Sequence, residues 1–205
     1  MLDLIEERTG ARPGESTGSI YKLNPKVDDL AERYAVEGVD GIQVFVLGTI
    51  KSGGSGCFCP ESALLKSLVA HLIMEDEHVV IIDMEAGLEH LGQACSRAVD
   101  VMLVILEPGR RPLETRANIA RMAREIGIRK TIAVLNKVST DEEEPEATNT
   151  GSALGLDIVG AIRFNHALIH ADLEGDSPLV VLDTSDVVDA IGRLKRVLSE
   201  VAQAT

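Results

Sequence analysis

The feature that most constrains this chain is the alternation of short apolar runs with longer segments of helical period. The runs are Gln43 to Leu47, His78 to Asp83, Asp100 to Leu106, Thr131 to Leu135 and Asp157 to Ile162, with a shorter sixth at Leu179 to Leu182. They are continuous in Val, Ile and Leu, as strands covered on both faces are, rather than alternating polar with apolar. Between them, Pro60 to Met74, Pro112 to Ile126 and Val187 to Ala202 read as helices, the first two opening on a proline and the third capped by Ser185 or Asp186. The pattern predicts an α/β protein with a doubly wound, mostly parallel sheet flanked by helices. Thr140 to Gly151, rich in Glu and Thr and holding Pro145, reads as a solvated loop. Met1 to Thr9 reads as helical, so the first strand comes only at Gln43, late for an architecture that usually opens on a strand feeding a phosphate loop.

Composition narrows the function classes. With 205 residues, 45% of them hydrophobic, residues 1–205 are expected to form one globular domain. A net charge of −13 repels phosphate backbones, and 2% aromatics without Trp offer no stacking platform, so nucleic acid is not expected as a partner. No apolar run reaches the roughly 20 residues that span a bilayer, and the acidic start is unlike a signal peptide. The expected location is cytoplasmic, with no membrane partner. Three cysteines, two of them one residue apart at Cys57 and Cys59, point away from a disulfide framework and towards metal or redox chemistry.

Lys51-Ser52-Gly53-Gly54-Ser55-Gly56-Cys57 lies between a strand and a helix, where a phosphate loop would sit. Gly48 and Gly53 have the spacing of that loop, but Gly54 stands where the phosphate-binding Lys belongs, and Cys57-Phe58 replaces the Lys-Thr pair of the two-lysine variant. The same glycines bring Cys57-Phe58-Cys59-Pro60 to a helix start, whose dipole favours thiolates. Two thiolates underfill a four-coordinate Zn²⁺ or Ni²⁺, and a two-fold dimer would supply four. Both cysteines read equally well as small hydrophobes in a packed turn.

Asp83-Met84-Glu85-Ala86-Gly87 follows an apolar run, where P-loop ATPases keep a carboxylate near Mg²⁺; a helix-capping Asp fits the same position. Asn136-Lys137 closes another run, where an Asn can meet a base edge and a Lys stem its face. Cys95 reads as core. His166 and His170 share a helical spacing without a completing Cys or carboxylate, so they read as surface or core residues.

Three blocks, Gly53 to Glu61 with its Cys-x-Cys-Pro-Glu, Asp83 to Leu91 with its Asp-Met-x-Ala-Gly-x-Glu-His-Leu, and Asn136-Lys137-Val138, together resemble the CooC-type carbon monoxide dehydrogenase maturation ATPases of the MinD/ParA P-loop superfamily. Leu23 to Val27, Ala98-Val99-Asp100 and Glu107-Pro108 extend the likeness over nearly the whole chain. The resemblance implies a homodimeric, ATP- and Mg-dependent factor that assists nickel insertion into the carbon monoxide dehydrogenase apoenzyme. It implies Ni or Zn at Cys57 and Cys59 from two protomers, Asp83 as the catalytic carboxylate near Mg²⁺, and Asn136 with Lys137 as nucleotide-binding residues. Ile162-Arg163-Phe164-Asn165 departs from the family's Pro-containing turn. The family's first strand, two-lysine P-loop and acidic switch have no counterpart here, so the expectation is an N-terminally truncated ATPase domain that does not hydrolyse ATP by itself. The rival readings are a non-enzymatic metal-binding dimer and a fragment of a ParA/MinD-like positioning ATPase.

Overall fold

The computed structural model describes residues 2–11, 20–46, 59–73, 79–83, 99–125, 127–177 and 185–203. The chain forms two compact units, Met1–Ala98 and Val99–Thr205.

In the first unit, α1 (Leu2–Thr9) packs on α3 (Cys59–Ile73), with the single-turn α2 (Leu30–Tyr34) between them in sequence. Leu4 and Ile5 of α1, Val27, Leu30, and Leu64 and Leu68 of α3 form its buried cluster, with Phe45 packed against it. The helix expected over Pro60 to Met74 and the helical start of the chain are both present. Two expected strands differ. Among the described residues of Gln43 to Leu47, which end at Val46, only β2 (Gln43–Val44) forms, and it pairs antiparallel with β1 (Val36–Glu37) as an exposed hairpin. The reason is local: Asp40 and Gly41, at φ 55° and 76°, close a 3-10 turn that sends the chain back on itself, as an Asp-Gly pair is suited to do. Residues 79–83 carry no strand, and Val79 and Ile81 are exposed.

An ion-pair knot ties α1 to α2. Arg8 Nη2 at 2.7 Å and Arg33 Nη1 at 2.9 Å both donate to Asp29 Oδ2. Hydrogen bonds from Arg8 first and Arg33 second hold the Asp29 carboxyl well below the usual carboxylate range.

The second unit has a parallel sheet in the order β3 (Val101–Leu106), β4 (Lys130–Val138), β5 (Ile158–Arg163). Three of the expected strands are therefore present, with β4 longer than the apolar run that announced it. Helix α4 (Arg110–Glu125) connects β3 to β4, and α5 (Glu143–Ala153) connects β4 to β5. After α6 (His166–Glu174) the chain ends in α7 (Ser185–Gln203), which packs on β5 and reaches β3. Leu179 to Leu182 lies outside the described residues.

The side chains on one face of the sheet, Val104 and Leu106 of β3 with Ala133 and Leu135 of β4, form a core with Leu113 and Ala120 of α4 and Ala147 of α5. The alternate positions Ile132 and Val134 are buried too without joining that cluster, so β4 is covered on both faces. Residues 140–151, expected as a loop, hold most of α5 instead. Two features explain the helix. Pro145 sits in its first turn, where a missing N–H costs nothing, and Glu143 Oε2 accepts hydrogen bonds from Ser139 N at 2.6 Å and Thr140 N at 3.4 Å. Its buried stripe is only Ala147 and Gly151, too thin to read as an apolar face. A Cβ at Gly151 would collide with Ile158 Cδ1, so the glycine lets α5 lie close on β5.

Leu135 is fully buried at the centre of this core. Leu135→Ala is expected to lower the unfolding free energy by about 2–5 kcal/mol in urea denaturation, a loss under about 1 kcal/mol contradicting the packing.

The depressed Asp29 carboxyl contributes stability above its unfolded pKa of about 3.9, and that contribution is lost as pH falls below it. The stability advantage of the wild type over Asp29→Asn should shrink as pH falls through about 4, and an advantage that grows on acidification would contradict the ion-pair knot.

Candidate functional site

In an open parallel sheet, ligands collect beyond the carboxyl ends of the strands. In this sheet those ends carry Glu107 after β3, Asn136 and Lys137 at the end of β4, and Phe164 and Asn165 after β5. Two register shifts shape them. Ala133 and Val134 stand opposite Ile158 and Gly160, so β5 holds one extra residue there. Leu135 and Val138 stand opposite Ala161 and Arg163, so β4 then holds one extra residue of its own, with Asn136 and Lys137 set against the single Ile162. A bulge of this kind turns side chains away from the regular pleat.

At the second bulge Lys137 has φ 59°, a left-handed conformation that a side chain with a Cβ adopts at a cost. Local contacts hold it there. Asn136 Oδ1 accepts a hydrogen bond from Lys137 N at 3.0 Å. Lys137 Nζ donates to Glu107 Oε1 at 2.6 Å across the ends of β4 and β3. Beyond the bulge Val138 returns to the core, and its carbonyl accepts from Phe164 N at 2.9 Å. Asn136 is half-buried and Lys137 exposed, so the pair is presented at the strand end, not sealed beneath it.

The next strand end is braced as well. Arg163 pairs with Asp141, an interaction that raises the guanidinium pKa. Asn165 caps α6 by accepting from Ala167 N at 2.8 Å, and its Nδ2 donates to Asp186 Oδ1 of α7 at 3.0 Å. Arg163, Asp186 and Arg193 also line a cavity of about 270 Å³ with Glu144, Gly160, Ala161 and Ala190.

The other expected site residues lie in the first unit. Cys59 is the first residue of α3 and Pro60 the second, the helix start on which the metal reading depends. Cys57 lies outside the described residues, as does Cys95. Asp83 is described and exposed. His166 and His170 are both exposed on α6. The first meets the Phe164 ring edge-on at 4.8 Å, and Nδ1 of the second lies 3.3 Å from Glu174 Oε2. Among the described residues no group of three or more His, Cys, Asp or Glu is placed to hold a metal. Nor is any helix among them long and apolar enough to cross a membrane.

A parallel sheet flanked by helices, with polar side chains gathered at its carboxyl edge, is a P-loop NTPase-like α/β arrangement. No family model matches the chain. It is 40% identical over 173 residues to the uncharacterised ATP-binding protein MJ0823 of Methanocaldococcus jannaschii, covering 84% of this chain and 66% of that protein. It is 39% identical over 175 residues to the carbon monoxide dehydrogenase accessory protein CooC of Rhodospirillum rubrum, covering 85% of this chain and 65% of that protein. A second Methanocaldococcus jannaschii ATP-binding protein, MJ0084, is 29% identical over 84% of this chain and 68% of its own length. The chain is a homologue of CooC and of these ATP-binding proteins. It spans just under two-thirds of the first two of these relatives.

The left-handed Lys137 is directly testable. Lys137→Gly should be tolerated and Lys137→Val should be less stable than the glycine variant by about 1–2 kcal/mol, since a β-branched side chain fits that backbone worst. The reverse order in chemical denaturation would contradict the bulge.

Proposed function

We propose that this protein is a nucleotide-linked accessory factor for nickel insertion into carbon monoxide dehydrogenase, acting as a cytoplasmic homodimer without a nucleic-acid partner. The observation that carries the reading is the 39% identity to CooC over 85% of the chain, together with the Cys57-x-Cys59-Pro60-Glu61 block. The names of the archaeal relatives support nucleotide binding.

In this reading Asn136 and Lys137 meet the base of an adenine nucleotide at the carboxyl end of β4, the amide at its edge and the lysine stem along its face. Asp83 serves as the carboxylate near the Mg²⁺ that accompanies the triphosphate, with the chemistry of phosphoryl transfer resting on positioned cations and dipoles. The metal ion is cargo. Cys57 and Cys59 of two protomers supply four thiolates, a complete shell for Zn²⁺ or Ni²⁺, whereas one protomer would leave half of it to water. Placement of Cys59 at the start of α3 supports the donor chemistry, because a helix N-terminus favours the thiolate.

If the site is shared, metal and dimer are linked by mass action. Sedimentation with metal analysis should find one Ni²⁺ or Zn²⁺ per dimer and more dimer with metal than without. Affinity should weaken as pH falls, because the thiols must lose protons to bind. Cys57→Ser or Cys59→Ser should abolish binding while Cys95→Ser preserves it. A metal-loaded monomer, or full binding by the Cys57→Ser/Cys59→Ser double variant, would rule the shared site out.

A further inference from the structure

We propose that Glu107 is a positioning residue for the nucleobase, acting through Lys137; the proposal rests on the nucleotide reading given above. Glu107 directly follows β3, and Leu106 at the end of that strand stands opposite Leu135 of β4. Lys137 lies two residues beyond Leu135, within the bulge, with its backbone in the left-handed region. A lysine on a regular strand end would be free to swing into water. Here the backbone conformation and the 2.6 Å contact with Glu107 Oε1 fix both ends of the side chain. The four-carbon stem is therefore drawn from the end of β4 to the end of β3 as an apolar bar across the carboxyl edge of the sheet.

A purine face can lie along such a bar, since lysine stems cover apolar surface while the ammonium stays hydrated or paired. Asn136 stands at one end of it, with Oδ1 turned to the Lys137 amide. Glu107 touches neither base nor phosphate in this arrangement. Its role is to hold the bar in place before the base arrives, which reduces the rotamer entropy lost on binding. Both partners are more than half exposed, so the effect is modest and sensitive to salt.

The test uses adenosine, which carries no phosphate and so removes any direct attraction between Lys137 and a triphosphate. Binding is followed by amide chemical shifts in the wild type, Glu107→Ala, Lys137→Met, the double variant and Lys137→Arg. Lys137→Met keeps an apolar stem and removes the tether. Each of the first two single variants should weaken adenosine binding by about two- to fivefold. The double variant should be no weaker than either single one, because both lose the same tether. Lys137→Arg keeps the pair and should lose less affinity than Lys137→Met, and the defect of Glu107→Ala should shrink at high salt. Wild-type affinity in Glu107→Ala, or a double variant whose loss is the product of the single losses, would overturn the positioning role while leaving the nucleotide reading intact. Absence of any adenosine-dependent shift in the wild type would overturn both.

Discussion

Strand β4 is the member on which the second unit depends. It is bonded to β3 along one edge and to β5 along the other, and from Ile132 to Leu135 it has no exposed side chain on either face. A strand in that position cannot slip by one residue without exchanging every side chain between two buried environments. The register with β3 runs without interruption from Val101 opposite Lys130 to Leu106 opposite Leu135. The helices α4 and α5 then pack on a surface whose pattern is already set.

The regularity of β4 ends where the chemistry begins. Through Leu135 the strand is apolar and in register; at Asn136 and Lys137 it takes in an extra residue and a left-handed backbone, and at Val138 it rejoins the core. Burial on both sides of the bulge keeps the interruption short, since Leu135 and Val138 are each about as buried as a side chain can be. Strained backbone persists where its surroundings over-determine it, and here packing, the Asn136 cap and the Glu107 ion pair act together. Two adjacent polar side chains are thereby set at the carboxyl edge of the sheet, where a regular strand would have sent them to opposite faces.

The sequence disclosed this architecture unevenly. Asp100 to Leu106, Thr131 to Leu135 and Asp157 to Ile162 are legible because strands covered on both faces need continuous apolar residues, and these became β3, β4 and β5. Gln43 to Leu47 has the same texture, but the Asp40-Gly41 turn just before it diverts the chain into an exposed hairpin, a local signal that apolar content does not register. Helix α5 was hidden for the opposite reason. Its buried stripe is small and its polar faces are those of a loop, so only Glu143 folding back on Ser139 and Thr140 betrays a helix start. Within the candidate site, Asn136 and Lys137 are legible from their place after an apolar run. Their partner Glu107 is thirty positions away from Lys137, and no pattern along the chain pairs them.

In the proposed function the carboxyl end of the β3–β4 pair receives an adenine nucleotide, a reading supported by the similarity to CooC and to ATP-binding proteins and by the Asn136-Lys137 pair at the bulged end of β4. Hydrogen–deuterium exchange with and without Mg-ATP tests that account most directly, because it reads the backbone at the strand ends themselves. The account predicts slowed exchange in peptides covering residues 106–110 and 135–140. Unchanged exchange there, with protection appearing only elsewhere in the chain, would contradict it.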